Sequence, residues 1–391
     1  MPPAPVSSKA DFHLAGEIKP LTSLRFIAAS FVLLHHLQGV LFIPKGSFDG
    51  FQLGNAVSFF FVLSGFILTC SYQSRIASIR YRDFLLVRFA RIWPAHIAVL
   101  LLCVFWLVPA GFEKQMAKLS TIELGQIIFL LQSWTPDRAV FWGLNAPAWT
   151  ISVELFFYAC FPLLILGLRN YRWKTLIGMA LILIAYFWAV DSFASFPDPF
   201  TSFGYGEAMP LIRLPEFMLG ILLGQSLLNS PRLQEWAATP SKTLWTIIEI
   251  GVLAAMIWAN AYGLKVGAQI KGMLGEVTGI WAAAIFPSPF YALAIAVFFL
   301  SRGYLANFLS LRIFVWLGTI SFAEYLIHQP MIYFWRREMD KFMPNEAVSI
   351  VGFAGLVIIT SAAIYYLVEK PGLSAAKTWV KRRSHKTTPA E

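Results

Sequence analysis

The stretch LGNAVSFFFVLSGFILTCSY, Leu53 to Tyr72, carries no charged residue and decides the class of this protein. A helix rising about 1.5 Å per residue needs about 20 apolar residues to cross a hydrocarbon core about 30 Å thick. Working outward, comparable runs lie near Leu24 to Ile43, Ile92 to Gly111, Ala148 to Leu168, Leu176 to Val190 and Ala208 to Leu228. Four more lie near Leu244 to Tyr262, Val277 to Leu300, Ile313 to Trp335 and Ala347 to Val368. Composition agrees, since 58% hydrophobic residues and 14 tryptophans in a chain of 391 exceed what one soluble core can bury. The reading is an all-α polytopic membrane protein of about ten transmembrane helices. A shorter run, Ile122 to Trp134, predicts an interfacial or re-entrant helix rather than a crossing.

Charge sets the orientation. Of 31 Lys and Arg residues, 21 fall on the side shared by the two termini and 9 on the opposite side, with Arg213 inside a span. The positive-inside rule then places both termini in the cytoplasm, and the chain is expected in a bacterial inner membrane. Residues 1–20 lack an apolar core and a cleavage site, so they read as a cytoplasmic tail rather than a signal peptide. Residues 21–371 form one membrane domain and 372–391 a basic cytoplasmic tail. The net charge of +10 sits beside the spans, where it meets anionic lipid, and does not point to nucleic acid. Cys70, Cys103 and Cys160 have no metal-like spacing and read as packing residues; no metal is expected.

Ionisable residues inside spans are costly and mark functional candidates. Arg25 and His36 are eleven positions apart, within about 20° of one helix face and separated by a rise of about 16 Å. His35 points about 80° away. A phosphate near Arg25 would place the end of a pantetheine arm near His36; the structural alternative is a snorkelling Arg and a histidine satisfied by a neighbouring helix. Arg88 and Arg91 at i,i+3 suit bidentate phosphate binding, or are ordinary positive-inside charge. Glu154 lies about two turns into an apolar helix, near Trp149 and Tyr158, and needs a partner such as His36 or an arginine. Arg213 and Glu216, Glu324 and His328, and Glu369 fit chemistry or polar ties between helices. Ser64 in LSGF reads as a small-residue helix contact, and no P-loop, nucleophile elbow or HExxH motif is placed to work.

From about Leu21 to Pro371 these residues resemble the acyltransferase 3 family of multi-pass O-acyltransferases. Arg25 and His36 are similar to its Arg-x10-His signature, Phe60 to Phe66 to its FFVLSGF segment, and Arg88 and Arg91 to its RxxR motif. Trp149, Ser152, Glu154 and Tyr158 resemble WSxSVExxFY, and Arg213, Pro215 and Glu216 resemble RxPE. Gly318, Ser321, Tyr325 and His328 resemble the late SYxxYLxH. Leu155 and Phe322 depart from the pattern, replacing a second acid and a tyrosine.

The resemblance implies transfer of an acyl group, acetyl first and succinyl second, from cytoplasmic acyl-CoA to a carbohydrate such as an exopolysaccharide, an O-antigen or a lipid-linked sugar. Arg25, Arg88 and Arg91 would hold the phosphates of acetyl-CoA, the co-substrate. His36 would be general base or carry a covalent acyl group, and Glu154 would fix its tautomer or stabilise the imidazolium. Trp149, Tyr158, Arg213, Glu216, Tyr325 and His328 would be substrate-facing or structural. A hydrolase-like domain found in many relatives has no counterpart here, so the membrane domain is expected to complete transfer alone. The competing class is a secondary transporter using His36, Glu154 and His328 as a proton relay; a third is a non-catalytic membrane protein.

Overall fold

The computed structural model describes residues 17–40, 43–48, 50–107, 119–135, 137–196 and 198–386. Each expected apolar run overlaps a helix, but in the run Leu24 to Ile43 the helix ends at His36 and a turn with an isolated Val40–Ile43 bridge follows; positions 41–42 and 108–111, at the ends of two runs, lie outside the described residues. In chain order the main helices are α1 (Lys19–His36), α2 (Ala56–Tyr72), α3 (Tyr81–Leu102), α4 (Thr121–Ile128), α5 (Trp149–Asn170), α6 (Arg172–Phe193) and α7 (Pro210–Leu228). They continue with α8 (Lys242–Leu274), α9 (Glu276–Ile285), α10 (Ser288–Leu300), α11 (Arg312–Phe334), α12 (Glu346–Ile364) and α13 (Lys370–Lys386). Among the described residues eight helical segments are long and apolar enough to cross a membrane, with α9 and α10 counted as one and α12 joined to α13. The two long helices outside that set are α1 and α11, which carry Arg25, His35, His36, Glu324 and His328. Their polarity has an internal destination, because they pack against each other in the interior.

The short run behaves as its length dictates. Ser120 and Glu123 form a capping box that starts α4; Ser120 backbone and hydroxyl donors hold the exposed Glu123 carboxyl below the usual range. The chain turns back at Leu130, whose φ is 61°. Trp93 and His96 of α3 anchor the segment by bonding the Ile128 and Ile127 carbonyls at 3.0 and 2.9 Å. Two lengths differ from expectation. α8 runs 33 residues, about 50 Å, so it projects beyond the apolar core. Residues 370–386 continue as α13, so most of the expected C-terminal tail is helical, while residues 1–16 and 387–391 of the two tails lie outside the described residues.

Close helix contacts position the site. A Cβ on Gly65 of α2 would stand 2.1 Å from the Phe217 carbonyl oxygen of α7, and one on Gly220 would stand 2.0 Å from that of Val62. Backbones therefore touch here, the arrangement small residues permit in membranes. Gly318 does the same between α11 and α1, where a Cβ would lie 2.0 Å from the Thr22 carbonyl oxygen. In α11, Pro330 cannot donate to the Leu326 carbonyl four residues earlier. Asn145, just ahead of α5, supplies the missing donor at 2.9 Å. That bond ties the start of α5 to α11 beside Tyr325.

Candidate active site

Two adjoining cavities among the described residues bring the candidate side chains together. The first, of about 170 Å³, is lined by Arg25, Arg88, Arg91, Glu154, Tyr158 and apolar residues of α2. The second, of about 400 Å³, is lined by His35, His36, Trp142, Trp149 and Glu207 among others. Val57 and Tyr325 line both and form their common wall. Arg25 lies in the first half of α1 and His36 at its end, so the stripe expected from their spacing connects one cavity to the other.

The three arginines are not equivalent. Arg91 pairs with the buried Glu369, which makes Glu369 a tie between α3 and the turn before α13. Arg88 donates from Nη2 to the Tyr72 hydroxyl at 2.6 Å and lies over that ring, leaving Nε buried without a partner. Arg25 is in no ion pair or side-chain hydrogen bond among the described residues. Unused guanidinium donors at a cavity wall suit an anion with several acceptor oxygens.

Glu154 does not meet His36. Its Oε1 accepts from the Tyr158 hydroxyl at 2.5 Å and from Ser64 at 3.2 Å, and its side chain lines the arginine cavity. The cause is depth: Trp149 at the start of α5 reaches the histidine cavity, and Glu154 lies about 7.5 Å further along the helix axis. The place beside the imidazole expected for Glu154 is held by other groups. His36 Nδ1 is 2.9 Å from the Val32 carbonyl and 3.3 Å from Nε2 of His328. His328, fully buried, sets its own Nδ1 2.7 Å from the Tyr325 carbonyl.

A ring nitrogen facing a carbonyl has to carry the proton, so His328 Nδ1 is a donor and its Nε2 an acceptor. His36 Nδ1 then carries a proton shared by the Val32 carbonyl and His328, and His36 Nε2 keeps a free lone pair. His35 also lines this cavity, edge to face with His36 at 5.1 Å, although it was expected to point about 80° away from the Arg25 stripe.

Arg213 and Glu216 form a fully buried pair at 2.8 Å, with Arg213 donating to Ser58 at 2.7 Å and Glu216 accepting from Ser288 at 2.8 Å. They join α2, α7 and α10 and line neither cavity. Glu324 accepts from Ser30 at 3.3 Å and so also ties α11 to α1. Ser64, read as a helix contact, is also a partner of Glu154. Glu207 escaped the sequence reading because it precedes the expected span by one residue; its signal was an acid in the apolar segment SFGYGEAMP. The cysteines are free. No group of three or more potential metal ligands is placed together among the described residues.

A family model described as an acyltransferase domain matches residues 19–368. The chain is 27% identical to "Acyltransferase MdmB" of Streptomyces mycarofaciens, covering 90% of both chains. It is 28% identical to "Nodulation protein 10" of Rhizobium leguminosarum bv. viciae over 63% of this chain and 71% of the relative. It is 23% identical to "Peptidoglycan O-acetyltransferase OatA" of Listeria monocytogenes, over 90% of this chain and 55% of that relative. No solved structure matches.

Proposed function

The chain belongs to the acyltransferase family whose model it matches over residues 19–368, and on that premise we propose that it is an O-acyltransferase of the bacterial inner membrane with both termini cytoplasmic. It takes an acyl group, acetyl first, from cytoplasmic acyl-CoA and esterifies a hydroxyl of an exported or cell-surface carbohydrate. The membrane domain, residues 21–371, carries the reaction. One of the relatives is named a peptidoglycan O-acetyltransferase, which supports a sugar hydroxyl as acceptor.

The observation that carries this reading is the pairing of a cavity bearing three arginines with a neighbouring cavity bearing an imidazole whose Nε2 is free. Arg25 and Arg88 hold the phosphates of acyl-CoA, and Arg91, already paired with Glu369, adds field rather than hydrogen bonds. The pantetheine arm passes Tyr325 and Val57 to bring the thioester to His36. His36 Nε2 accepts the proton of the acceptor hydroxyl as its oxygen bonds to the thioester carbonyl carbon. The tetrahedral adduct collapses, the C–S bond breaks, and His36 returns the proton to the leaving thiolate. The products are the ester and coenzyme A. His328 positions the imidazole, and Glu154 holds Tyr158 and Ser64 along the wall of the donor cavity.

Equilibrium binding of coenzyme A to the purified protein tests this reading. Binding that Arg88→Ala weakens by about tenfold, one charged hydrogen bond's worth, is the expected result. A wild-type protein with no affinity for coenzyme A favours the transporter reading instead.

A further inference from the structure

The second cavity holds more than the base. Its walls are aromatic at Trp142, Trp149 and Phe203 and carry amides at Gln52 and Asn55, with Glu207 the one acid among the described lining residues. Neither Lys nor Arg lines it among the described residues. Aromatic faces against amide and carboxylate edges suit a ring with apolar C–H faces and equatorial hydroxyls.

Glu207 is held there by the backbone. It sits in a single π-helical turn, Gly204–Ala208, between a short helix capped by Asp198 and Pro210 at the start of α7. Such turns recur at functional sites. The turn packs against α9 so closely that a Cβ on Gly206 would stand 2.8 Å from Ile280. Glu207 accepts no hydrogen bond from another side chain or from the backbone among the described residues, yet it lines the cavity. The cation that shares its field, Arg213, is already matched by Glu216 and bonded to Ser58. With Arg213 committed to Glu216 and Ser58, Glu207 makes no ion pair among the described residues, and its side chain lines the cavity.

Resting on the acyltransferase reading, we infer that this cavity is the acceptor site and that Glu207 binds hydroxyls adjacent to the one that reacts, so that the site takes neutral or amino sugars and rejects acidic ones. An acidic sugar would place a carboxylate against Glu207 with no cation to separate them, and like charges brought together in a partly dry site discriminate strongly.

The test uses membranes carrying the full chain, radiolabelled acetyl-CoA and three probes that share one ring: methyl β-D-glucoside, methyl β-D-glucosaminide and methyl β-D-glucuronide. The expected wild-type result is transfer to the first two and at least about tenfold lower kcat/KM for the glucuronide. Glu207→Gln is expected to raise the glucoside KM by about tenfold, leave the acetyl-CoA KM unchanged and narrow the gap to the glucuronide. A wild type that accepts the glucuronide as well as the glucoside overturns the inference, as does a Glu207→Gln protein with unaltered acceptor KM and ranking. If Glu207→Gln does not fold, the wild-type ranking decides alone. Transfer to none of the three with coenzyme A binding intact also overturns this assignment; loss of coenzyme A binding by the wild type overturns the reading beneath it.

Discussion

The helices α6 and α11 have similar lengths, 22 and 23 residues, and opposite characters. α6 is apolar enough to cross a membrane by itself and buries one residue, Phe187. α11 falls outside the membrane-crossing set and buries twelve, among them Glu324, Tyr325 and His328. In water the apolar helix would be the core and the polar one the surface. A bilayer inverts that order: lipid covers α6, and the polar helix is the one that needs protein partners. Those partners come from α1, which also falls outside that set, and from Asn145. His36, Glu324 and His328 therefore lie on the two long helices outside the membrane-crossing set.

Perturbing the two regions should give effects of very different size. The largest is expected on α1, where His36→Ala removes the proposed base and should lower acyl transfer by roughly a hundred-fold to ten-thousand-fold at unchanged protein level. Gly318→Val comes next, because its side chain would enter the Thr22 backbone. Overpacking of this kind costs about 1–3 kcal/mol, to be read as a lower Tm in detergent together with lost transfer. Asn145→Ala leaves the Leu326 carbonyl without a donor and should cost about 1–3 kcal/mol in the same melt. Arg91→Ala should weaken coenzyme A binding less than Arg88→Ala, since Arg91 is already committed to Glu369. On α6, Ile184→Ala changes a lipid-facing side chain and should leave Tm and transfer within about 0.5 kcal/mol of wild type. A strong loss from Ile184→Ala, or none from Gly318→Val, would break the contrast.

The spans were legible because bilayer thickness imposes a length that apolar runs display directly. Arg25 and His36 were legible as a stripe because helical periodicity is local. Partnerships were not. Arg91 and Glu369 lie 278 positions apart, and His36 and His328 are separated by 292; nothing in spacing along one helix sets the depth at which two helices meet. Of the two partners expected for Glu154, the structure places it on the arginine side and not with His36, since about one and a half turns of α5 separate Glu154 from Trp149, which lines the histidine cavity. Glu207 was missed because a rule that searches inside apolar runs passes over a π turn at their edge. The Arg213–Glu216 pair was visible as i,i+3 charges, but only the serines around it show it to be a tie between helices.

The most direct test is transfer of label from radiolabelled acetyl-CoA into extractable polysaccharide or lipid-linked sugar by membranes carrying wild type, His36→Ala or His35→Ala. The two histidines share a cavity, yet only His36 has its Nδ1 held by Val32 and His328. Loss of at least about a hundred-fold in His36→Ala, with His35→Ala within a few fold of wild type, is the predicted result. Equal activity in wild type and His36→Ala would contradict it.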